Sequence, residues 1–244
     1  VDAGLMGHIV PELNEGIGVD QNKHHIYTVY EHNVRSLGFA AEKGFNFEVR
    51  LAALLHDIAK PKTKRGKGPD STFYGHEVVG ARMTEKILER LKFPRETIEK
   101  ITLLVRFHLF YYNVDEVTES SVRRIVRQVG LDNIKDLVAL RMAERLGSGV
   151  PKAKPYKLRQ FEYVVEKVSR DPISPKMLKV KGDDVMEILK IEPGPKVGLV
   201  ISALMNEVLN DPEKNKRKYL LDRVAATGKL SEKELILLGK EGKS

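Results

Sequence analysis

Cysteine is absent from this chain of 244 residues, and so is tryptophan. Without thiols there can be neither disulfides nor thiolate metal sites, so any metal must be held by His, Asp and Glu. Long apolar runs are missing too: nothing approaches the roughly 20 residues that span a bilayer. The N-terminus has no secretory leader pattern. These absences argue against a membrane protein and leave the cytoplasm as the expected compartment. An initiator Met is also lacking, since the chain begins at Val1, which suggests a piece of a longer protein. What is present is 41% hydrophobic and 31% charged residues, enough for a core under a charged surface. The length suits two domains of ordinary size.

The net charge of +8 is unevenly spread. Residues 151–244 hold 20 Lys and Arg against 14 Asp and Glu, a net of +6, whereas residues 1–150 carry only +2. A basic C-terminal part fits a polyanionic partner such as RNA, and equally a solvated lysine-rich surface. Histidine has the opposite skew. All seven (His8, His24, His25, His32, His56, His76 and His108) fall within the first 108 residues. The chemistry is therefore expected in the N-terminal part.

Helical periodicity dominates, and the expected fold class is all-α. Helices are predicted over about 28–43, stopped by Gly44, and over 47–59, capped by Asn46 and ended by Pro61. Residues 62–74 (KTKRGKGPDSTFY) read as an exposed loop. Further helices follow over about 75–92, from Pro94 to His108, over 120–129 closed by Gly130, and over 132–146 closed by Gly147. The stretch GSGVPKAKP (147–155) marks the expected boundary, giving an N-terminal domain 1–149 and a smaller helical domain 150–244. In the latter, helices are expected over 156–169, 182–189, 195–209, 213–226 and 231–238. The last opens with the capping box Ser231…Glu234. Only Met177–Val180 reads as a short strand.

Several metal-capable side chains continue apolar helical faces. His56 follows Val49, Ala52 and Ala53, and His108 follows Ile101, Leu104 and Val105 at the same spacings. His76 leads Val79, Met83 and Ile87, His32 accompanies Val29 and Phe39, and Glu144 follows Leu137 and Leu140. A single inward histidine is ordinarily a hydrogen-bonded core residue. Several titratable groups on five helices, each needing a partner once buried, point to convergence on a common metal or phosphate site. Sulfur-free ligands suit Mg²⁺, Mn²⁺, Co²⁺, Ni²⁺, Fe²⁺ or Zn²⁺.

The succession EHNVRSL (31–37), LAALLHDIAKP (51–61), FYGHEVVGA (73–81), LVRFH (104–108) and LRMAERLGSG (140–149) resembles the HD domain. In particular it is similar to the HD domain of bacterial tRNA nucleotidyltransferases, the CCA-adding enzymes and poly(A) polymerases. Beyond residue 150, VKGDDVMEILKIEPGPKVGLVISALMNEVLND (180–211) resembles the segment of those enzymes that holds the body of the tRNA. The resemblance implies His32, His56, Asp57 and Glu144 as ligands of a divalent ion. It implies His76 and His108 as phosphate-contacting or second-metal groups and Lys60 as facing substrate phosphate, a solvated Lys60 being the other reading. Lys181, Lys196 and Gly198, around a helix N-terminus entered by Pro-Gly-Pro, are its candidates for RNA contact. The sequence differs from the family pattern at Glu144, where Asp is usual, and at Ala59, where Gly is usual. Neither the Gly-Gly-x-x-Arg-Asp segment nor the paired Asp-x-Asp of a nucleotidyltransferase head occurs, so nucleotide addition is not expected of this chain.

The leading expectation is an HD-type phosphohydrolase acting on nucleotide or RNA-terminal phosphoesters. The competing one is a non-hydrolytic tRNA-binding neck, body and tail. A small-nucleotide HD regulator would leave the C-terminal resemblance unexplained. Phe107, Phe110, Tyr111 and Tyr112 could stack on a base or pack under a loop. His24 and His25 could approach phosphate or stand exposed.

Overall fold

The computed structural model describes residues 4–21, 26–110, 118–149 and 156–240. Among these the fold is all-α, with no strand beyond an isolated bridge between Arg65 and Thr72. The helices are α1 (Met6–Ile9), α2 (Val29–Glu42), α3 (Phe47–Leu55), α4 (Lys60–Thr63), α5 (His76–Arg90), α6 (Arg95–Phe107) and α7 (Glu119–Val129). They continue with α8 (Leu131–Gly147), α9 (Tyr156–Val168), α10 (Gly182–Leu189), α11 (Pro195–Asn210), α12 (Arg217–Thr227) and α13 (Glu232–Lys240). The chain forms two compact units, one within residues 1–111 and 132–159, the other within 112–131 and 160–244. Helix α7 thus groups with the C-terminal helices, although it precedes α8 in sequence.

Local chemistry accounts for the first unit's helix ends. Thr28 caps α2 reciprocally: its backbone N–H donates to Glu31 Oε2 (2.9 Å) and its hydroxyl accepts from Glu31 N. Gly44, at φ +68°, takes the left-handed turn after α2. Asn46 Oδ1 then accepts from Val49 N to start α3. Helices α2, α3, α5 and α6 pack on one another, burying Val49, Ala52, Leu55, Ile87, Leu88, Ile101 and Leu104. Helix α8 adds Leu137 and Leu140 to the buried set.

Gly147 at the end of α8 lies against α2. A Cβ there would stand 2.9 Å from Ser36 N and 3.1 Å from Ser36 Cα, both backbone atoms. Gly147→Val should therefore force the two helices apart and cost about 1–3 kcal/mol, read as a lowered urea midpoint. An unchanged midpoint would show that the close approach contributes nothing.

Three expectations are corrected, the third being the start of α12. The predicted helix over 47–59 stops at Leu55, and the chain turns through His56–Ala59 into α4. Pro61 has no N–H to donate, and the Asp57 carbonyl accepts instead from Lys60 N (2.9 Å), an i→i+3 bond that tightens the turn. Pro61 thus opens α4, where its missing donor costs nothing. The expected strand over Met177–Val180 is not a strand: Pro175–Met177 is a 3₁₀ turn. Leu178 and Val180 are buried around an exposed Lys179, which explains the alternation that read as a strand. The backbone finds a side chain instead of a neighbouring strand. Lys179 N donates to Asn215 Oδ1 (2.9 Å), and Asn215 Nδ2 donates to Met177 O (3.0 Å).

In the second unit α11 is central, packing against α7, α10, α12 and α13. Its core joins Leu178, Val180, Val185, Val200, Leu204, Met205, Val208, Leu220, Val224 and Leu235. The buried Arg123 ties α7 into this unit, donating to Asp171, Glu119 and the Leu209 carbonyl. Helix α12 starts at Arg217 rather than near 213, after a 3₁₀ turn over Pro212–Lys214. The Ser231–Glu234 capping box forms as expected.

Candidate metal centre

The break after α3 builds the site. It places His56 and Asp57 in a turn rather than on a continuous helix, and Gly80 of α5 lies alongside. A Cβ at Gly80 would be 3.6 Å from the His56 carbonyl oxygen, an ordinary contact distance. His32 comes from the first turn of α2, His76 opens α5, and His108 caps the end of α6. All four histidines and Asp57 are buried, His32, His56 and His108 completely.

Three of these rings are oriented in the same way. Nδ1 of His56, His76 and His108 lies 2.7–2.8 Å from the carbonyl oxygen three residues earlier, of Ala53, Phe73 and Val105 respectively. A carbonyl can only accept, so Nδ1 carries the proton and Nε2 is the nitrogen left to face the centre. Nε2 of His32 and His56 are 3.0 Å apart, and those of His76 and His108 are 3.3 Å apart. Asp57 lies between the pairs. Its Oδ2 is 3.4 Å from His32 Nε2 and 3.3 Å from His56 Nε2. Its Oδ1 is 3.1 Å from His76 Nε2 and 3.7 Å from His108 Nε2.

Asp57 therefore belongs to two ligand groups, His32–His56–Asp57 and Asp57–His76–His108, each with its donor atoms within 4.8 Å of one another. Neither Asp57 oxygen makes an aligned hydrogen bond, although both are buried. Buried carboxylate oxygens and facing Nε2 lone pairs are acceptors gathered together, which is favourable only with protons or cations among them. The donor set fits a divalent metal ion. The carbonyl-bound Nδ1 protons are the outer support that orients metal-ligating histidines.

The electrostatics follow from this crowding. Burial, with the neighbouring His56, pushes the His32 pKa down to about 3. Burial also lowers that of His108. For His56 burial opposes the charged form, but the negative charge of Asp57 prevails and the pKa is raised. Burial works against ionised Asp57 as well, yet His56 and Lys60 hold its carboxyl well below the usual range.

Lys60 and Glu144 flank the centre differently. Lys60 is buried, which removes the solvated reading; its Nζ lies 2.6 Å from Asp57 Oδ2 and donates to Gln21 Oε1 at 2.6 Å. Glu144 is outside both ligand groups. Its two oxygens accept from Arg141 Nη1, each at 2.6 Å. Burial opposes its ionisation, but Arg141, His56 and His108 bring its pKa to about 2. Gln21 and Arg141 were not singled out by the sequence. Arg141, one turn before Glu144, had a visible i,i+3 signal, whereas Gln21 had none. His24, His25, Tyr111, Tyr112 and the expected boundary residues 150–155 lie outside the described residues. Phe110 is buried and Phe107 half-buried.

In the second unit Lys181 precedes α10, while Lys196 and Gly198 lie in the first turn of α11. A Cβ on Gly182 would be 3.5 Å from Val197, so the two helix starts are adjacent. A side chain on Gly198 would meet open space.

A helical unit with two such histidine–aspartate groups defines a metal-binding class of domain, and residues 29–148 match the HD domain family. Over 212 residues the chain is 34% identical to the A-adding tRNA nucleotidyltransferase of Deinococcus radiodurans, covering 82% of this chain and 47% of that protein. It is also 34% identical over 212 residues to the CC-adding tRNA nucleotidyltransferase of Thermus thermophilus, with 83% and 46% covered. The Multifunctional CCA protein of Neisseria meningitidis serogroup A is 27% identical over 129 residues, 52% of this chain and 30% of that protein. The chain carries an HD domain and is homologous over most of its length to tRNA nucleotidyltransferases. It spans about half the length of the first two of these curated relatives. No helix among the described residues is long and apolar enough to cross a membrane.

Proposed function

We propose that this chain is a metal-dependent phosphohydrolase of the HD type, acting on phosphomonoesters or cyclic phosphodiesters of nucleotides or RNA ends. The observation that supports it is Asp57, buried and shared by two histidine groups with their Nε2 atoms turned toward it. Asp57, with His76 and His108 on one side and His32 and His56 on the other, would hold the metal at one of these two groups, with Glu144 a further carboxylate nearby. A bound divalent ion would supply a water of lowered pKa and neutralise phosphate oxygens. Lys60, whose ammonium is already desolvated beside Asp57, would add fixed positive charge toward a phosphate. The carbonyl-anchored histidines would be preorganised, with Nε2 turned toward Asp57. With Mn²⁺, Ni²⁺, Co²⁺ or Mg²⁺, the purified protein should turn over p-nitrophenyl phosphate or 2′,3′-cyclic nucleotides, and Asp57→Asn should reduce turnover to background. No turnover with any of these ions would end this reading.

A second reading is supported by the relatives and by the net charge of +6 over residues 151–244. In it the second unit binds tRNA through its backbone, using Lys181, Lys196 and the adjacent starts of α10 and α11. Gly198 leaves room for close approach. RNA affinity should then fall steeply with salt and survive His56→Ala. An affinity indifferent to salt would count against it. The two functions are compatible in one chain, hydrolysing ends of the RNA that the basic unit holds.

A further inference from the structure

The two ligand groups that share Asp57 are not equivalent. On the Oδ2 side, with His32 and His56, the Lys60 ammonium occupies the approach to the carboxylate at 2.6 Å. It is kept there by Gln21 Oε1, and Gln21 Nε2 is itself anchored to the Tyr27 carbonyl at 3.2 Å. Glu144, which the resemblance places as the further ligand of this side, is engaged through both oxygens by Arg141. The side that matches the family's usual ligands thus already has two cationic side chains on its carboxylates.

The Oδ1 side differs. His76 and His108 present Nε2 at 3.1 and 3.7 Å. Among the described residues no Lys or Arg pairs with this oxygen. Both ring orientations are set by Nδ1–H donation to Phe73 and Val105 carbonyls, so two Nε2 lone pairs and an anionic oxygen face one another with no basic side chain among them. Two imidazoles and one carboxylate, with positions left for water or substrate, suit Mn²⁺, Fe²⁺, Co²⁺, Ni²⁺ or Zn²⁺ better than Mg²⁺.

We infer that this centre takes one divalent transition-metal ion, at Asp57, His76 and His108, and that the Lys60 ammonium stands as a fixed charge where a second ion would lie between Asp57, His32 and His56. The assignment rests on the metal-centre reading above but not on turnover. A second cation on the Oδ2 side would have to displace Lys60 against like charge. The first meets only acceptors.

The test is ion count and location in the full chain loaded with Mn²⁺ or Co²⁺ and passed through a desalting column. Elemental analysis should give one equivalent, and anomalous diffraction at the metal edge should place it beside His76 and His108. His76→Ala and His108→Ala should weaken binding by roughly 10–100-fold or more, whereas His32→Ala should keep one equivalent. Lys60→Met should raise the count toward two. Two ions in the unaltered protein, an ion beside His32 and His56, or no retained ion would each overturn the assignment. If Lys60→Met does not fold, the anomalous position in the unaltered protein decides alone. One ion at the assigned place without any hydrolysis would leave this inference standing and remove the phosphohydrolase reading.

Discussion

Changing Asp57 to Asn should abolish divalent-ion binding and destabilise the first unit by about 3–5 kcal/mol, the cost of leaving a buried charge without its partner. The substitution preserves shape and volume, so packing is not the cause. What it removes is the one negative charge that both ligand groups share, within 3.1–3.7 Å of four imidazole nitrogens. It also strands the Lys60 ammonium, now 2.6 Å from Asp57, without that anionic partner. Urea unfolding followed with and without Mn²⁺ separates the two consequences. The unaltered protein should gain stability from the ion, about 2.7 kcal/mol at a hundredfold excess over the dissociation constant, and lose it on adding EDTA. The Asp57→Asn variant should be weaker and indifferent to both. An ion effect that survives the substitution would mean that the metal lies elsewhere.

Much of this centre was legible before any coordinates. Spacing along the helices turned His32, His56, His76, His108 and Glu144 inward, and all are buried. Periodicity reports a face, however, not a convergence. Three of the four histidines stand at helix ends, where the chain turns and the apolar pattern says nothing of direction. The helix break at His56 followed from Pro61, but the predicted helix overran it because Ile58 and Ala59 continue an apolar face. The apolar alternation around Lys179 promised a strand for a related reason. Pattern records burial, and the Asn215 amide supplied the backbone partners that a neighbouring strand would have provided. Gln21 was illegible altogether, since its role exists only through a contact with Lys60 across 39 residues.

Stability should fall as the pH drops from neutrality, and the same buried groups set the window. His32, held to about 3 when folded, titrates near 6.5 in the unfolded chain. A histidine kept neutral by the fold lets the unfolded state bind the extra proton, so its contribution is complete above 6.5 and lost as the pH falls toward 3. His108 acts in the same sense. Glu144, at about 2 when folded against 4.5 unfolded, extends the loss from 4.5 downward, because its pairing with Arg141 requires the ionised form. His56 opposes them: its raised pKa contributes stability that is complete below 6.5 and lost as the pH rises through its folded value. Below 6.5 the neutral histidines therefore govern, and each extra proton bound by the unfolded state tilts stability by about 1.4 kcal/mol per pH unit. Urea midpoints taken between pH 7 and 4 should fall progressively in the presence of EDTA. His32→Gln should flatten the upper part of that fall, and Glu144→Gln the part below 4.5, where the carboxyl begins to titrate in the unfolded chain. A midpoint that stays level from pH 6.5 to 4 would mean that these side chains are charged or solvated in the folded protein. The buried, acceptor-rich centre would then be wrong at its root.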